Sequence, residues 1–252
     1  MLNKIALSVV LLLCVCTGRS QLQVRDSALF DPHISISYAY QIPSGDLEYR
    51  FGENHNVALG FHIKSKTNWY YGIQGTYLTG NKVKTEKNFL SNLIVEGGFI
   101  LDNDGQKAKI SLQERGFTVT ADGGYLFPVL GPNRNSGILV FGGVGLLQHK
   151  IRIEHQDSKI SQLEGEYLKG YDRLTNGLVL HQFAGYYYMS NYKLINFYVG
   201  IEAWQGFTQS RRDFNFDTRV KDDAKRTDIL YGIRAGWVLH LYRRISTDYY
   251  TH

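Results

Sequence analysis

Residues 117–127 read FTVTADGGYLF, a stretch in which apolar and polar side chains largely alternate. The odd-numbered positions are apolar or glycine, whereas the even-numbered positions include Thr118, Thr120 and Asp122. Successive side chains of a β-strand point to opposite faces of the sheet. The stretch therefore predicts a strand with one apolar face and one face of small or polar residues.

Seven other segments alternate in the same way. All eight contain about nine residues or more, the length that a tilted strand needs to cross a hydrocarbon layer. The predicted strands are His33–Ile42, Asn56–Lys64, Trp69–Leu78, Phe117–Val129, Gly137–Glu154, Leu178–Met189, Asn196–Thr208 and Thr227–Tyr242. An even set of such segments favours an antiparallel barrel built from hairpins.

The polar face separates two kinds of barrel. A soluble barrel turns its apolar face inward, whereas a membrane barrel turns that face outward towards lipid. The face opposite the apolar one carries polar side chains that are typical of a filled barrel interior: Gln41, His62, Gln74, Asp122, Gln182, Glu202, Arg234 and His240. Aromatic residues gather near the segment ends, as in the interfacial girdles of membrane barrels. We predict an all-β fold, an antiparallel up-and-down transmembrane β-barrel with eight strands.

The connections between the segments predict the orientation of the barrel. Connections 65–68, 130–136 and 190–195 are short, whereas those near 79–116, 155–177 and 209–226 are long and 43–55 is intermediate. Outer-membrane barrels have short periplasmic turns and longer extracellular loops. The long connections are therefore expected to lie outside the cell.

A ten-stranded wall is the alternative. Asn92–Leu101 and Lys107–Gln113 flank Asp102-Asn103-Asp104-Gly105, and Asp-Gly between two such runs is a hairpin signal. If this hairpin joined the wall, the barrel would gain two strands. The charged run 106–115 favours a hairpin that projects outward, so eight strands remain the prediction.

The N-terminus has the features of a secretion signal. Lys4 precedes an apolar run at Ile5–Val15, and small residues precede a predicted cleavage before Gln21. We expect residues 1–20 to be the signal peptide and residues 21–252 to be one barrel domain. Both cysteines lie in the signal, so the mature chain has no thiol for a disulfide or a metal. Removal of Lys4 and Arg19 lowers the formal charge from +5 to +3, which does not favour nucleic acid as a partner.

Charged residues are predicted inside the barrel. Glu202 and Arg234 lie on inward faces of consecutive segments, with Asp122 and His240 on the same side of the wall. These four residues are expected to form an interior polar network, because charges away from water need partners. We interpret this network as structural, with its side chains filling the barrel lumen. The alternative is a gate or a proton relay. An eight-stranded barrel has an interior barely wide enough for its own side chains, so no open pore is expected.

The last long connection carries the candidate docking residues. Its mixed charges are interleaved with aromatic side chains, and the proposed anchors are Arg211, Arg212, Phe214 and Phe216. One interpretation is a solvated tip with internal ion pairs. The other is a surface for lipopolysaccharide phosphates or an envelope protein. Outer-membrane lipid is the general partner expected.

Enzymatic activity is not favoured by the pattern. Candidate residues for a lipid-modifying site are His149, His155 and His181 with Ser158, Ser161 and Ser190, but no nucleophile motif surrounds them. His149 alternates in phase with Leu147 and Ile151, which predicts that it faces outward. The scattered histidines predict no metal site, and no cofactor is expected.

The chain resembles the small outer-membrane barrels of the Bacteroidota, the broad PorT-like group. The resemblance rests on 40–50 (YQIPSGDLEYR), 123–128 (GGYLFP), 171–177 (YDRLTNG) and 211–217 (RRDFNFD). It implies an outer-membrane location and, for some members, association with type IX secretion. The predicted function is a non-enzymatic envelope scaffold or accessory subunit. The alternatives are a lipid-modifying enzyme and a secreted soluble barrel that binds an apolar ligand.

Overall fold

The computed structural model describes residues 27–84, 89–156, 159–190 and 195–241. The predicted signal peptide, residues 1–20, lies outside them. Eight strands follow one another along the chain: β1 (Asp31–Gly45), β2 (Asn54–Lys64), β3 (Trp69–Gly80), β4 (Lys109–Phe127), β5 (Gly137–Gln156), β6 (Thr175–Met189), β7 (Asn196–Ser210) and β8 (Lys225–His240). Short 3-10 turns occur at Ser91–Leu93, Ser161–Leu163 and Tyr167–Gly170. No helix in the described ranges is long and apolar enough to cross a membrane.

Each strand pairs antiparallel with its neighbours in sequence, and β1 closes the sheet by pairing with β8. The closing register runs from His33 opposite His240 to Gly45 opposite Asp228. Closure leaves no unpaired sheet edge, so the backbone groups of the wall are satisfied within it. The prediction of an eight-stranded up-and-down barrel is confirmed.

The ten-strand alternative is wrong. Of the expected hairpin arm Lys107–Gln113, the part from Lys109 onward forms the start of β4 and pairs with β5. The other arm makes only isolated bridges, between Ile94 and Ile100 and between Leu101 and Lys107. The Asp-Gly turn itself is present, and the Asp102 carboxylate accepts hydrogen bonds from the backbone of Asp104 and Gln106.

Strand β4 therefore begins eight residues before the predicted segment, which started at Phe117. The added part is charged on its outward face, so it lacks the apolar pattern of the rest of the strand. Strands β5 and β4 together form a hairpin longer than its neighbours, with 20 and 19 residues. The described residues of the outer connections fold over this end.

Buried apolar residues form two clusters, one at each end of the barrel. The lower cluster lies at the end with short turns and contains Leu29, Tyr70, Leu126, Leu139, Phe141, Phe183, Tyr187, Met189, Tyr198 and Val238. The upper cluster joins the far strand ends to the loops and contains Leu47, Phe51, Leu78, Phe89, Leu90, Leu147, Ile151, Ile153, Ile160, Leu163, Tyr171, Val179, Trp204 and Leu230. The barrel is thus filled by side chains at both ends, and charged residues lie between.

Candidate functional site

Arg234 and Glu202 form the centre of the interior. The Arg234 Nε donates to Glu202 Oε2 at 2.6 Å and Nη2 donates to Oε1 at 3.1 Å, and both side chains are fully shielded from solvent. The remaining guanidinium donors reach Ser37 Oγ and Asn56 Oδ1, each at 2.8 Å. Gln41 donates a further hydrogen bond to Glu202 Oε1 at 2.7 Å. This pair is bidentate and additionally hydrogen-bonded, as a buried ion pair requires.

Two histidines extend this pair across the interior. His181 Nε2 lies 3.2 Å from Glu202 Oε2, and His181 Nδ1 lies 3.9 Å from Asp122 Oδ1. The other Asp122 oxygen lies 3.2 Å from His62 Nε2. The His181 ring stacks on Trp204 with its centroid 3.7 Å away. We call Arg234, Glu202, His181, Asp122 and His62 the central polar cluster.

The structure brings three of the four predicted interior residues together. Asp122, Glu202 and Arg234 belong to the central polar cluster, but His240 does not. His240 Nδ1 lies 2.7 Å from Asp31 Oδ1 at the end with short turns. His62 and His181 complete the cluster; the sequence placed His62 inward but assigned it no partner, and His181 appeared only among the enzyme candidates.

Asp31, His33 and His240 form a second polar group. His33 and His240 are directly opposite on β1 and β8, and Asp31 precedes His33 by two residues on the same face. One candidate metal-ligand atom from each residue lies within 4.8 Å of the others. A metal ion could bind three ligand atoms at this spacing after small side-chain movements. The geometry is explained without an ion, since each Asp31 oxygen lies within hydrogen-bonding distance of one imidazole, 3.3 Å from His33 and 2.7 Å from His240. The amine of Lys64 is held beside this group by oxygens of Leu29, Ser65 and Asn68.

A third polar group lies beneath the outer loops. Asp228 Oδ2 accepts from His149 Nε2 at 2.9 Å and from Thr208 Oγ1 at 2.5 Å, while Oδ1 accepts from Arg50 Nη2 at 3.2 Å. Burial lowers the pKa of the Arg50 guanidinium from its ordinary value, although Asp228 acts in the opposite direction. Arg50 thereby ties the first outer connection to the start of β8. Sequence reasoning missed this group because Arg50 lies in the predicted connection 43–55, and its contact with Asp228 on β8 depends on the tertiary fold.

The described residues of the four outer connections interlock into one unit, which we call the loop cap: residues 46–53, 81–84, 89–108, 159–174 and 211–224. Connection one pairs with connection two, since Gly52 N donates to Lys82 O at 2.8 Å. Connection two meets connection three through Asn103 N and Lys159 O, also at 2.8 Å. Connection three meets connection four where Phe216 N donates to Gly170 O at 3.0 Å.

Ion pairs reinforce the last of these contacts. Arg212 donates to both carboxylate oxygens of Asp172, with Nε at 2.7 Å from Oδ1. This hydrogen bonding raises the pKa of the Arg212 guanidinium above its ordinary value. Arg173 pairs with Asp217 in the same region. Connections three and four are therefore held by two charged pairs as well as by the upper apolar cluster.

The outer wall is apolar around the whole barrel. In its middle band, four outward aliphatic side chains expose most of their surface: Leu59 61%, Ile73 60%, Ile201 65% and Ile233 64%. Aromatic residues flank this band on both sides, including Trp69 and Trp237 below and Tyr77 and Phe207 above. A soluble barrel would bury such a band inside. The chain is a transmembrane β-barrel.

No protein-family model and no curated protein matches the sequence. Similar solved structures include Ail, the attachment invasion locus protein of Yersinia pestis, in complex with the heparin analogue sucrose octasulfate, with a TM-score of 0.43, 12% identity and coverage of 83% of this chain and 99% of that chain. Neisserial surface protein A gives a TM-score of 0.41 at 12% identity over 82% and 96% of the two chains. The N-terminal β-barrel domain of Pseudomonas aeruginosa OprF gives 0.38 at 10% identity over 84% and 100%.

Two predicted side-chain directions in this barrel are wrong. Gln182 was expected inside, but it is exposed on the outer wall while His181 and Phe183 point inward. Both faces of this part of β6 are largely apolar, so the alternation does not identify the inward one. His149 was expected outside, but it is buried at 1% exposure together with Leu147 and Ile151. This half of β5 lies above the apolar band. At this level the inward side chains are apolar and the outward side chains face water.

The four docking candidates divide into two pairs. Arg212 is held by Asp172, and Phe216 packs edge-on against Tyr171 inside the loop cap. Arg211 is exposed and bonds Asn176, and Phe214 is 44% exposed. Only Arg211 and Phe214 therefore present surface to a partner.

The enzyme candidates do not converge on one site. His149 bonds Asp228 at one end of the barrel and His181 bonds Glu202 in its middle. Ser161 bonds Asn103 in the loop cap, and Ser190 lies at the opposite end after β6. Ser158 lies outside the described residues. None of these described hydroxyls therefore lies beside His149 or His181 as a nucleophile would.

Proposed function

We propose that this protein is an integral outer-membrane barrel without enzymatic activity that acts as an envelope scaffold or accessory subunit through its loop cap. The observation that carries the proposal is the combination of a filled interior with an interlocked cap. The interior holds a central polar cluster between two apolar clusters, so side chains fill the lumen. The cap has buried residues of its own, such as Phe89, Ile160 and Leu163.

An interlocked cap is a preorganised binding surface. Loops that are already ordered lose less conformational entropy when a partner binds. Arg211 and Phe214 supply an exposed cation and an exposed aromatic ring three residues apart in connection four, and both residue types are frequent at binding hot spots. The proposed partner is an envelope protein, and the alternative is a lipopolysaccharide phosphate bound by Arg211. A role beside a type IX secretion machine, as the PorT-like resemblance implies, belongs to the same proposal.

The experiment is crosslinking in intact cells followed by mild detergent extraction. The Arg211→Ala/Phe214→Ala variant is compared with wild type and with a matched Lys66→Ala/Val129→Ala variant, which removes an exposed cation and an exposed apolar residue at the opposite end of the barrel. We expect the first variant to lose envelope partners and the second to keep them. Equal partner recovery from all three proteins would contradict the proposed role of the cap.

A further inference from the structure

We propose that the outer wall binds the phosphate groups of a phosphorylated glycolipid of the outer leaflet at Arg115, Lys150 and Arg152, which we call the outer-wall basic patch. The inference goes beyond the proposed function, because it concerns the wall of the barrel below the cap. Arg115 lies on β4, and Lys150 and Arg152 lie on β5.

The patch contains a like-charge pair whose charge no described carboxylate neutralises. Arg115 and Lys150 are directly opposite in the β4–β5 register and share the outward face. Side chains in such positions lie about 5 Å apart at Cβ, and like charges there destabilise the sheet. The Arg115 guanidinium donates to neutral oxygens, those of Thr79, Gln113 and the backbone of Glu114. In the described part of the chain, neither Arg115 nor Lys150 forms an ion pair with a carboxylate. The third cation, Arg152, is two residues beyond Lys150 on the same face, and all three residues line one groove.

The nearby carboxylates are already engaged. Glu154 Oε1 lies 2.9 Å from Arg152 Nε, which satisfies one donor of that guanidinium. Asp172 lines the same groove, but Arg212 takes both of its oxygens. Glu114 precedes Arg115 but points into the barrel. The patch therefore keeps a net positive charge on the outer wall.

Its height on the wall matches a lipid headgroup. Outward side chains change from apolar to polar between Phe117 and Arg115 on β4 and between Leu146 and Gln148 on β5. The inward side chains change in the opposite sense, since apolar Ile151 and Ile153 fill the interior above this level. This reversal marks the upper edge of the hydrocarbon layer. The patch begins one outward position above it on β4, where headgroup phosphates lie.

Outward cations of the upper wall are most numerous on β4 and β5. Outward positions near the same end of β1, β2, β3, β6 and β7 carry no lysine or arginine, and β8 carries one lysine, Lys225, opposite Gln209. The positions without a cation are Ser44, His55, Thr79, Asn176 and Gln209. A general preference for cations at the interface would distribute them around the wall. Instead they line a groove of about 480 Å³ whose apolar floor includes Tyr77 and Phe117. A polar rim of cations above an apolar floor fits a headgroup phosphate with its acyl chains below.

The test measures lipid retention on the folded barrel. Wild type, Arg115→Gln/Lys150→Gln/Arg152→Gln and a matched Lys66→Gln/Lys159→Gln/Lys221→Gln variant are placed in nanodiscs, and bound lipid is counted by native mass spectrometry. The probe is diphosphoryl lipid A. We expect the patch variant to lose affinity about a hundredfold, because each cation near a charged membrane surface contributes about fivefold. The matched variant removes the same charge elsewhere and should behave as wild type.

Three further arms identify the source of the phosphate. Dephosphorylated lipid A and inorganic phosphate should fail to compete with the probe, and phosphatidylglycerol should compete weakly. Equal binding of the dephosphorylated lipid, displacement by inorganic phosphate or unchanged binding by the patch variant would each overturn the proposal. A difference in gel mobility between unboiled and boiled protein reports folding. Lys150→Gln/Arg152→Gln replaces the triple variant if that variant fails to fold.

Discussion

Arg234 illustrates how a permanent charge is kept inside a membrane barrel. Its side chain is fully buried, yet each of its three nitrogens donates to a described acceptor, two of them to Glu202. Glu202 in turn accepts from Gln41 and lies beside His181. Removal of one partner from such a pair leaves an uncompensated buried charge, which costs more than the intact pair contributes.

We expect Arg234→Met to lower the free energy of unfolding by about 3–5 kcal/mol. The physical reason is that Glu202 would lose its bidentate cation in a site that is fully shielded from solvent. Urea unfolding in lipid vesicles measures the change. Arg234→Met/Glu202→Gln should recover a large part of the loss, because the remaining amide carries no charge. If Arg234→Met lowers the free energy of unfolding by less than about 1 kcal/mol, water reaches this ion pair.

Among the structural elements, the β4–β5 hairpin supports the loop cap. The lower part of the hairpin follows the membrane pattern, with Phe117 outward and Thr118 inward. The upper part follows the pattern of a soluble sheet, with Leu147 and Ile151 inward and charged residues outward. The upper part gives the loop cap an apolar floor. The pair of Arg212 and Asp172 then fixes connection four against connection three.

Arg212→Gln is expected to loosen the cap while the barrel stays folded. The variant leaves the carboxylate of Asp172, which is 4% exposed, without its cation. Loss of a hydrogen bond to a charged group is expected to raise the equilibrium constant for opening of the loop cap at least about tenfold. Chymotrypsin added to intact cells measures opening as the rate of cleavage in the outer connections. Lys221→Gln is the control, since the pair of Lys221 and Asp223 is exposed and contributes little. Equal cleavage of both variants would contradict the role of Arg212.

At the scale of the whole molecule, the barrel is a filled cylinder with a cap. The lower apolar cluster fills the end with short turns, and the central polar cluster lies above it. The upper apolar cluster continues from the strands into the loops. An eight-stranded wall leaves only enough width for side chains, and here those side chains are mutually packed.

The protein in a planar bilayer is therefore expected to show no stable ion conductance. The measurement is single-channel recording at both polarities, with folded insertion checked by protease protection of the barrel. A porin reconstituted in the same bilayer serves as the positive control. Discrete, reproducible conductance steps from the wild-type protein would show that the interior opens, which would contradict the filled barrel and favour the gate interpretation of the central polar cluster.

The predictability of this structure depends on where each residue lies along its strand. Leu59, Ile73 and Ile233 face lipid with a regular period of two, so the number of strands follows from the sequence. Gln182 and His149 were assigned to the wrong face, because β6 is apolar on both sides and β5 reverses its pattern above the membrane. Of the interior network, Asp122, Glu202 and Arg234 were recognised as inward charges. The contact of Asp122 with His62 joins strands that are not consecutive, and the contact of Glu202 with His181 was missed because the inward face of β6 was not identified.

The sequence by itself determined the class of the fold, the number of strands and the end of the barrel that carries the loops. These properties are local, since they depend on alternation within a strand and on the lengths of the connections. Only the tertiary structure decided that His240 pairs with Asp31, that Arg212 and Phe216 serve the cap, and that Arg115 and Lys150 stand opposite each other on the outer wall. These contacts join residues that are distant in the chain, and they exist only once barrel closure and strand register bring the residues together.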